Sequence, residues 1–489
     1  MKLSEITKAL YIYKKTKSIE QIEITGLEMD SRNVKKGDLF ICIKGFTVDG
    51  HLYARQAEAK GAAAIVAEKP LDVSIPVIIV NDTTKAIAIL ANKYFEYPTQ
   101  SLNVIGVTGT NGKTSVTYLL EAIFREHKHR TGLIGTIQMK MGEECFDVKN
   151  TTPDSLFLQK SFHQMLERNI DTVFMEVSSH ALDIGRVYGC DFDVAVFTNL
   201  SQDHLDYHSS MEDYLRAKSL LFAQLGNTYD SERPKFAVIN QDDVHHESLI
   251  KSTSQPVVTY GIDSEADIRA LDVNLDANGA TFILKTTDEE IPIKSKLMGK
   301  FSIYNMLAAT AAALCSGIPL HTIKRALEAT TGVSGRFEPV TVGQPFGVIV
   351  DYAHTPDSLE NVLSTIRSFV KGKVYVVVGC GGDRDKTKRP LMAASAVKYA
   401  DLSIFTSDNP RSEEPDAIIA DMITGIETEK YRVIENRKDA IYQAVELADK
   451  DDIVLIAGKG HETYQQIKGD TLDFDDRLVA EEAIKNKIS

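Results

Sequence analysis

Short apolar runs alternate with longer helical stretches in the N-terminal part of the chain. The runs at 39–43 and 64–67 have the length of buried strands, and the apolar positions at 85–91 recur with helical spacing. Strands that alternate with helices are typical of α/β folds. Residues 1–98 are therefore predicted to form a small N-terminal α/β domain.

A second region, residues 99–334, begins with a predicted strand at 102–105, which leads through a glycine-rich turn into an amphipathic helix. Apolar side chains of this helix recur at i, i+3, i+4, i+7 and i+8 on one stripe: Val116, Leu119, Leu120, Ile123 and Phe124. The alanine-rich stretch 305–313 predicts a buried helix. This region is predicted to be a central α/β domain.

The central domain is expected to hold a mostly parallel sheet with a small antiparallel sheet added to it. Further strands are predicted at 172–177 and 194–197. Between residues 256 and 298 apolar and polar residues alternate around Asn278-Gly279, a pair typical of hairpin turns. This stretch is predicted to be the antiparallel insertion.

From residue 335 onward the alternation of strands and helices returns. It predicts a Rossmann-like C-terminal domain, residues 335–489, whose ligands bind at the carboxyl ends of the strands. Its strands are predicted at 347–350, 374–378, 402–405 and 453–456. The fold class is therefore α/β, with three domains.

Composition excludes several classes of protein. Hydrophobic residues make up 43% and charged residues 25% of 489 residues, which is ordinary globular usage for about three domains. No run approaches the ~18 apolar residues of a transmembrane helix, and no secretory signal is visible, so neither membrane insertion nor export is expected. A net charge of -14 disfavours non-specific nucleic-acid binding, which depends on cationic residues.

The cysteines are five, scattered, and without a Cys-x-x-Cys pair. Neither a zinc site nor a disulfide framework is therefore expected. They are predicted to be small core residues of a protein in a reducing, cytoplasmic compartment. Their positions are Cys42, Cys145, Cys190, Cys315 and Cys380.

The clearest chemical motif is the turn Gly-Val-Thr-Gly-Thr-Asn-Gly-Lys-Thr at 106–114. Glycines let the backbone approach phosphate oxygens, and the helix N-terminus attracts anions. Lys113 is placed to reach terminal phosphates and Thr114 to bind Mg²⁺. Val107 stands where the common P-loop has its first glycine. A structural turn would need neither the lysine nor the threonine, so a P-loop ATPase domain is predicted.

Polar residues at two other predicted strand ends could complete a metal site. Glu176 ends one apolar strand, while Asp203 and His204 follow another. Each is individually typical of a polar loop, but their shared position at the carboxyl edge favours a site. Mg²⁺ prefers oxygen ligands, so histidine would be a minority choice. From pattern alone, Lys218 is predicted to lie on a solvated helix face.

The C-terminal region also places polar residues after successive strands. Asp351 could bind ribose hydroxyls. The segments 379–385, 408–411 and 458–462 contribute Gly, Arg, Asp and Glu side chains. Arg pairs with carboxylates while Asp and Glu accept from ammonium groups, so the set suits a zwitterion. Because no nucleophilic triad is visible, phosphoryl transfer by positioning and charge neutralisation is predicted.

Together these motifs resemble the Mur ligase family over essentially the whole chain. The family's P-loop is matched at 108–114, and further matching motifs lie at 176–180, 203–204, 304–309, 335–338 and 351–354. The branch that adds the third peptide residue to UDP-N-acetylmuramoyl-L-Ala-D-Glu is indicated by Met-Asp-Ser-Arg at 29–32, Asn-Thr-Thr-Pro at 150–153 and Asp-Asn-Pro-Arg at 408–411.

The resemblance implies ATP as co-substrate and two Mg²⁺ ions. Lys218 would carry a CO₂-derived carbamate, because a neutral lysine that captures CO₂ becomes an anionic oxygen ligand. The implied catalytic residues are Lys113, Glu176, His204 and Lys218, and the metal ligands are Thr114, Glu176, His204 and the Lys218 carbamate. ATP would be bound by Gly109, Thr110, Asn111, Gly112, Lys113, Thr114, Ser115, Asn305, Arg336 and Asp351.

The resemblance also implies the two other substrate sites. UDP-N-acetylmuramoyl-L-Ala-D-Glu would contact Ser31, Asn150, Thr151, Thr152, Ser178 and Arg186, although Ile184 stands where some relatives have a glutamine. The amino acid, meso-2,6-diaminopimelate, would contact Arg384, Asp408, Asn409, Pro410, Arg411, Gly458 and Glu462. The first domain would therefore bind the UDP substrate, the second ATP and the third the amino acid.

Arg411 would determine which amino acid is used. In the family, Asp-Asn-Pro-Arg marks enzymes that use diaminopimelate, which has a distal carboxylate that L-lysine lacks. Arg384 and Arg411 could pair with that carboxylate, and L-lysine would leave a buried guanidinium charge unpaired.

The implied reaction phosphorylates the D-Glu carboxylate, and the incoming amine then attacks the acyl phosphate to leave an amide. Domain closure is expected to assemble the site in a monomer. Three alternatives stay open: an L-lysine-adding ligase of the same family, a ligase like folylpolyglutamate synthase, and a P-loop NTPase that acts as a switch.

Overall fold

A computed structural model describes residues 1–45, 48–276 and 279–488. The chain divides into two compact units. The first comprises residues 1–106, 129–194 and 229–235, and the second comprises 107–128, 195–228 and the chain from 236 onward. Helices alternate with mainly parallel strands in both units, which confirms the predicted α/β class.

The first unit begins with a five-stranded sheet that is parallel except at one edge. In spatial order its strands are Lys14–Lys15, Val77–Ile79, Ala64–Ala67, Asp38–Ile41 and Gly26–Glu28, the first pairing antiparallel. Apolar clusters cover both faces, so the central strands are buried throughout. Its helices are Leu3–Ile6, Ala54–Ala59 and Thr83–Tyr94, with 3₁₀ turns at Thr7–Ala9, Gly50–Tyr53 and Pro98–Gln100.

A second group of strands in this unit carries residues of the predicted site. Thr131–Ile134 pairs parallel with Thr172–Glu176, and Met139–Met141 and Glu144–Phe146 extend it antiparallel. Helices Ser155–Glu167 and Ser179–Asp183 accompany these strands. The strand Asn103–Thr108 begins in the first unit and ends in the second.

The second unit contains the P-loop helix Lys113–Glu126 and a run of neighbouring strands. In spatial order these are Val194–Phe197, whose first residue belongs to the first unit, Phe236–Asn240, Val257–Gly261, Ile268–Asp276, Gly279–Lys285 and Glu290–Ser295. Only the last three pair antiparallel among themselves. The accompanying helices are Met211–Ala223, His246–Ile250, Lys300–Cys315 and Leu320–Ala329.

The predicted antiparallel insertion is wrong for its first strand. Val257–Gly261 pairs parallel with both neighbours. The chain crosses over through helix His246–Ile250 before this strand, and a crossover connection is what parallel pairing requires. Of the predicted hairpin turn, Asn278 lies outside the described residues, and Gly279 begins an antiparallel strand as expected.

The C-terminal part of this unit is a six-stranded sheet with helices on both faces. Its strands are Glu338–Pro339, Gly347–Asp351, Ile453–Ala457, Val374–Val378, Leu402–Phe405 and Tyr431–Val433, and all but the first are parallel. Its helices are Pro356–Phe369, Lys388–Tyr399, Pro415–Ile423, Arg437–Leu447 and Asp476–Ile488, and apolar clusters fill both faces. A separate hairpin pairs Tyr464–Ile467 with Asp470–Asp473.

Two expectations about composition can be compared with the fold. Among the described helices, none is long and apolar enough to cross a membrane. Cys42 and Cys380 are buried as predicted. Cys145 is exposed, because it lies on the edge strand Glu144–Phe146, which has no neighbour beyond it in the sheet order, so its assignment to the core is wrong.

Candidate active site

The glycine-rich turn packs so closely against its neighbours that two of its glycines have no room for a side chain. Gly109 has φ +146°, and a Cβ there would lie 1.8 Å from the Thr198 hydroxyl oxygen. Gly112 has φ +89°, and a Cβ there would lie 2.4 Å from Asn305 Oδ1. The Thr198 hydroxyl in turn donates to the Asn111 carbonyl, 2.6 Å away. The turn is therefore built for close backbone approach, as a phosphate cradle requires.

Two lysines donate to the same carbonyl oxygen of this turn. The ammonium of Lys113 lies 2.8 Å from the carbonyl oxygens of Gly109 and Thr110, and that of Lys218 lies 2.8 Å from the Gly109 oxygen. Lys218 is buried and its ammonium lies 4.3 Å from the Tyr214 ring centre. The prediction of a solvated helix face for Lys218 is thus wrong, because this side of helix Met211–Ala223 packs under the P-loop.

The environment of Lys218 favours the neutral amine. Burial lowers its pKa well below the ordinary lysine value, and the charge of Lys113 acts in the same direction, while Asp203 opposes both. A neutral amine is the form that reacts with CO₂. The residues present therefore fit the carbamate that the family resemblance implies.

Asp203 is a buried carboxylate that interacts with two histidines and a lysine. Its oxygens lie 3.5 Å from His204 Nε2 and 3.9 Å from Lys388 Nζ. Burial opposes ionisation, but the charges of His204, His354 and Lys388 outweigh it and lower the pKa of Asp203 to about 2. Asp203 is therefore ionised at neutral pH. Among the described residues, no three His, Cys, Asp or Glu side chains converge as a ready-made metal site.

In the first unit, Glu176 ends its strand as predicted and is buried. Its carboxylate accepts from the backbone N–H of Thr136 at 2.8 Å and from the Thr136 hydroxyl at 2.9 Å. The Thr151 hydroxyl lies 3.1 Å from the Thr136 hydroxyl. Sequence reasoning missed Thr136. No strand was predicted at 131–134, so nothing in the sequence indicated that Thr136 would follow the neighbour of the Glu176 strand.

The residues predicted to contact the muramoyl peptide are partly brought together. Thr152 donates from its hydroxyl to the Glu176 carbonyl at 2.8 Å and accepts from the backbone N–H of Ser178 at 3.0 Å. The Arg186 guanidinium donates to the Thr152 carbonyl at 3.0 Å. Asn150 is exposed, with no hydrogen bond to another described residue.

Ser31 and Ile184 are the two remaining predicted positions in this unit. The hydroxyl of Ser31 donates to Gln56 Oε1 at 2.9 Å. Ile184, the departure from some relatives, ends helix Ser179–Asp183 and lies two residues before Arg186.

Residues predicted to bind the nucleotide line one cavity of about 360 Å³ in the second unit: Asn111, Gly112, Ser115, Asn305, Arg336 and Asp351. The Arg336 guanidinium lies 3.2 Å from the Thr114 hydroxyl and 4.5 Å from the Tyr352 ring centre. The Asp351 carboxylate accepts from the backbone N–H groups of Phe337 and Ala353 at 2.6 and 2.7 Å. Burial raises the pKa of Asp351, while Arg336 and these two bonds oppose the rise.

Asp357 is a further residue of this cavity that the sequence did not reveal. Its Oδ2 accepts from Asn111 Nδ2 at 2.9 Å and from the Ser201 hydroxyl at 3.1 Å. It lies on helix Pro356–Phe369 and so connects the P-loop to the C-terminal sheet region.

The predicted amino-acid residues meet at the carboxyl edge of the C-terminal sheet. Asn409 Nδ2 donates to Glu462 Oε2 at 2.9 Å, and the Asn409 N–H donates to Asp408 Oδ1 at 2.7 Å. A Cβ at Gly458 would lie 2.7 Å from Asp408 Oδ2. The Pro410 carbonyl oxygen would lie 1.9 Å from a Cβ at Gly382. This edge is therefore a compact polar cluster.

Arg411 is held in an unusual backbone conformation, with φ +54°. Its N–H donates to the Gln466 carbonyl at 3.0 Å, and its carbonyl accepts from the Lys468 N–H at 2.7 Å. Its guanidinium donates to the Gly382 carbonyl at 2.7 Å. A left-handed conformation is costly for a non-glycine residue, and the hairpin supplies the bonds that hold it.

The two arginines predicted to pair with the distal carboxylate are less buried than expected. Arg384 is exposed and Arg411 is only half-buried, so neither guanidinium is buried as expected. Both lie on loops that follow strands, where water reaches the longer side chains. A Cβ at Gly381 would lie 2.8 Å from Arg411 Nη1 and 3.9 Å from Arg384 Cγ, so the two arginines do flank one loop.

Comparison with protein-family models identifies the chain. The Mur ligase middle domain matches residues 107–313, the Mur ligase glutamate ligase domain 335–460, and the Mur ligase family catalytic domain 23–99. The chain is a Mur ligase. It belongs to an enzyme family of ATP-dependent ligases, as the sequence predicted.

Curated relatives resemble this Mur ligase over its whole length. A protein of Oceanobacillus iheyensis is 58% identical over 100% of both chains, and one of Bacillus cereus is 57% identical over 96% of both. Both are named UDP-N-acetylmuramoyl-L-alanyl-D-glutamate--2,6-diaminopimelate ligase.

Solved structures agree with the fold. A structure of a UDP-N-acetylmuramoyl-L-alanyl-D-glutamate--2,6-diaminopimelate ligase matches this Mur ligase with a TM-score of 0.72 and 34% identity, covering 100% of both chains. A folylpolyglutamate synthase of Mycobacterium tuberculosis matches at a TM-score of 0.64 and 19% identity, covering 76% of this chain and 92% of that one. The second likeness is one of fold alone.

Proposed function

We propose that this Mur ligase joins meso-2,6-diaminopimelate to the D-Glu carboxylate of UDP-N-acetylmuramoyl-L-Ala-D-Glu, with ATP converted to ADP and phosphate. The reaction is a step of peptidoglycan precursor synthesis. The observation that carries this proposal is the 408–411 loop, whose arginine is clamped beside a carboxylate cluster at the ligand edge of the C-terminal sheet. The names of relatives that are 57–58% identical support the same reaction.

In the second unit, the nucleotide is assigned to the cavity beside the P-loop. The glycines of the turn bring backbone N–H groups to the phosphates, and Lys113 and Arg336 supply positive charge. Asp351 and Asn305 contact the nucleoside end. Gly109, Thr110, Thr114 and Ser115 complete the set. These groups act by orientation and by neutralising charge on the transferring phosphoryl group.

Mg²⁺, proposed as two ions, would be held by the Thr114 hydroxyl, Glu176, His204 and the carbamate of Lys218. The buried, neutral-favouring environment of Lys218 supports this donor set. When bound, the metal supplies charge neutralisation to the phosphates. Glu176 contributes a carboxylate already oriented by Thr136, so it loses little freedom on binding.

The chemistry proceeds through two displacements. An oxygen of the D-Glu carboxylate attacks the γ-phosphorus of ATP, and ADP leaves with the electron pair of the broken bond. The amine of diaminopimelate then attacks the acyl carbon, phosphate leaves, and the amine loses a proton as the amide forms. Because both steps develop negative charge near Lys113, that lysine is assigned to both.

The two remaining substrates are assigned to different units. In the first unit, the UDP-muramoyl dipeptide contacts Ser31, Asn150, Thr151, Thr152, Ser178 and Arg186. In the second unit, Arg384 and Arg411 pair with the distal carboxylate of diaminopimelate. Gly458 and Glu462 take its distal ammonium group, since carboxylates accept from ammonium, and Asp408, Asn409 and Pro410 complete the site.

Each of the three proposed domains is assigned one substrate. The domains are 1–98 for the UDP substrate, 99–334 for ATP and 335–489 for the amino acid. The enzyme is proposed to act as a cytoplasmic monomer, without nucleic-acid or membrane partners.

Phosphate release tests the proposal. The full-length enzyme is assayed with ATP, Mg²⁺ and UDP-N-acetylmuramoyl-L-Ala-D-Glu, together with meso-diaminopimelate, L-lysine or no amino acid, and the nucleotide peptide product is identified by mass spectrometry. Release and a tripeptide product only with diaminopimelate are expected, and Lys113→Ala should abolish both. Release with L-lysine instead would contradict the amino-acid assignment, and release without any amino acid would favour an NTPase switch.

A further inference from the structure

Lys459 is a buried lysine that the proposed function does not use. It follows Gly458 at the carboxyl end of strand Ile453–Ala457, and its side chain is 0% exposed. An ammonium group is costly to bury unless it is paired and hydrogen-bonded. Its partners therefore indicate what it does.

The partners of Lys459 are two of the residues assigned to the amino acid. Its ammonium donates to Glu462 Oε2 at 2.9 Å and to Asn409 Oδ1 at 3.1 Å. Asn409 Nδ2 donates to the same Glu462 oxygen at 2.9 Å. The three side chains thus form a closed triangle at the end of the sheet.

This triangle fixes the orientation of the Asn409 amide. Lysine can only donate, so the amide oxygen must face Lys459 and the nitrogen must face Glu462. The backbone N–H of Gln466 also donates to Asn409 Oδ1, at 2.9 Å. With its oxygen engaged twice, Asn409 has a single orientation.

The triangle also leaves one oxygen of Glu462 available. Oε2 takes both hydrogen bonds, while Oε1 takes none from the described part of the chain. The side chain of Glu462 is 15% exposed, so Oε1 can reach a ligand. Lys459 therefore occupies one side of this carboxylate and holds the other toward the site.

Charges around Glu462 show why a cation is needed there. Burial raises the pKa of Glu462, and the charge of Asp408 acts in the same direction. The charge of Lys459 lowers this pKa, and so do the hydrogen bonds from Lys459 and Asn409. Arg437, Tyr352 and Tyr464 also interact electrostatically with Glu462. Lys459 is the cation in direct contact, and it favours the ionised form that binds an ammonium group.

We propose that Lys459 is a positioning residue of the amino-acid site, which orients Asn409 and Glu462 so that Glu462 Oε1 accepts from the distal ammonium of a diamino dicarboxylic acid. This inference rests on the proposed function, because it assigns a role within the same site. It does not place Lys459 in contact with substrate or with the reacting atoms.

Lys459→Met tests the proposal in the full-length enzyme, since methionine keeps the apolar stem and removes the ammonium. The KM for diaminopimelate should rise about 10- to 100-fold, the effect of losing hydrogen bonds to a charged group. The KM values for ATP and for the UDP-dipeptide should stay within about twofold, because neither is assigned to this cluster.

A pH profile separates positioning from mere structural support. Without Lys459 the pKa of Glu462 rises, so more of the carboxyl group is neutral at a given pH. The KM of Lys459→Met for diaminopimelate should therefore fall as the pH increases from about 6 to about 8.5, while the wild-type KM changes little over this range. A structural defect would not produce this recovery.

Lys468→Met is the matched control. Lys468 lies in the turn of the hairpin that pairs Tyr464–Ile467 with Asp470–Asp473, and its side chain is 60% exposed. Its ammonium pairs with Glu414 at 2.9 Å, and removing this exposed ion pair should change each KM by less than about twofold. Lys459→Gln is the second variant, and it keeps a hydrogen-bond donor without the charge. It should fold and give an intermediate KM, which keeps the test decisive if Lys459→Met does not fold.

Two results would overturn the proposal: an unchanged KM for diaminopimelate in a folded Lys459 variant, or an equal rise in all three KM values. The wild-type enzyme tests the proposed function separately. If the wild-type enzyme uses L-lysine in place of diaminopimelate, the proposed substrate is wrong. The role of Lys459 is then tested by the effect of Lys459→Met on the KM for L-lysine.

Discussion

Arg437 and Asp476 form an ion pair in which both side chains are 0% exposed. The guanidinium makes two hydrogen bonds to the carboxylate, at 2.8 Å from Nε and 2.7 Å from Nη2. Nη2 also donates to the Ala457 carbonyl at 2.9 Å, immediately before Gly458. The pair therefore fastens the start of helix Asp476–Ile488 to the end of strand Ile453–Ala457, next to the proposed amino-acid site.

Removing one partner of this pair should be strongly destabilising. Arg437→Met leaves Asp476 buried and uncompensated, which should lower the free energy of unfolding by about 3–5 kcal/mol. Urea denaturation measures the loss. The double variant Arg437→Met/Asp476→Leu should recover part of it, since no charge is then left buried.

The control for Arg437→Met is Arg367→Met, which breaks a pair with Asp401 whose side chains are 32% and 41% exposed. Its cost should stay below about 1 kcal/mol. Equal costs for the two variants would contradict the importance assigned to burial.

Lys218→Ala should remove most of the ligase activity. If its carbamate holds the metal, kcat should fall roughly 100-fold or more, comparable to the loss of a charge-stabilising group in other active sites. Short carboxylic acids should partly restore the rate, because a carboxylate can take the place of the carbamate. Lys251→Ala, at a lysine that is 77% exposed, serves as the control. Full activity of Lys218→Ala would exclude the carbamate.

Arg411→Ala should reduce the use of diaminopimelate more than Arg384→Ala does. Arg411 is half-buried and anchored to Gly382, so its loss should cost about 2 kcal/mol in kcat/KM, roughly a 30-fold decrease. The exposed Arg384 should cost about 1 kcal/mol or less. Steady-state kinetics with diaminopimelate and L-lysine provide the measurement. A larger effect at Arg384 would reverse the assignment.

The hairpin at 464–473, beside the proposed amino-acid site, offers a paired test of two adjacent glutamines. The Gln465 side chain donates to the Asp408 carbonyl at 2.7 Å, whereas Gln466 contacts Asn409 and Arg411 through its backbone. The Gln465 amide also donates to the Ser407 hydroxyl at 3.3 Å, so Gln465→Ala loses two hydrogen bonds and should raise the KM for diaminopimelate by about fivefold or more. Gln466→Ala keeps its backbone contacts and should leave the KM unchanged. Equal effects would argue against this distinction.

Stability should depend on pH through His354. Burial lowers the pKa of this histidine from 6.5 to about 4, and Lys388 acts in the same direction while Asp203 opposes it. The unfolded chain therefore binds a proton that the folded protein does not between these two values. Stability should fall as the pH decreases from about 6.5 to about 4.

Denaturation midpoints measured across this range test the contribution of His354. The slope should be shallower in His354→Gln, which cannot be protonated. An unchanged slope in that variant would assign the pH dependence to other groups.

The strands and the P-loop were predictable because their signals are local. The turn at 106–114 carries its glycines, lysine and helix start within nine consecutive residues. By contrast, the contact between Asn111 and Asp357 joins residues 246 positions apart, and no short-range pattern encodes it. The sequence shows that residue 459 is a lysine, but only the fold shows that its side chain is buried.

Two of the wrong predictions share a physical cause. Helical spacing around Lys218 resembles that of a solvated surface, yet tertiary packing under the P-loop buries it. Alternation at Val257–Gly261 resembles a hairpin strand, yet a short crossover helix makes the pairing parallel. In both cases long-range packing overrides a correct local pattern.

The hydrogen bonds that fix the backbone of Arg411 do not involve its side chain. The hairpin holds residue 411 through its main-chain N–H and C=O, so these two hydrogen bonds would remain with any other side chain that tolerates a φ of +54°. A new side chain at this position could therefore alter amino-acid preference while the loop keeps its path. If the loop binds the amino acid as proposed, substitution of residue 411 is a route by which the enzyme could come to add a different amino acid without rebuilding the loop.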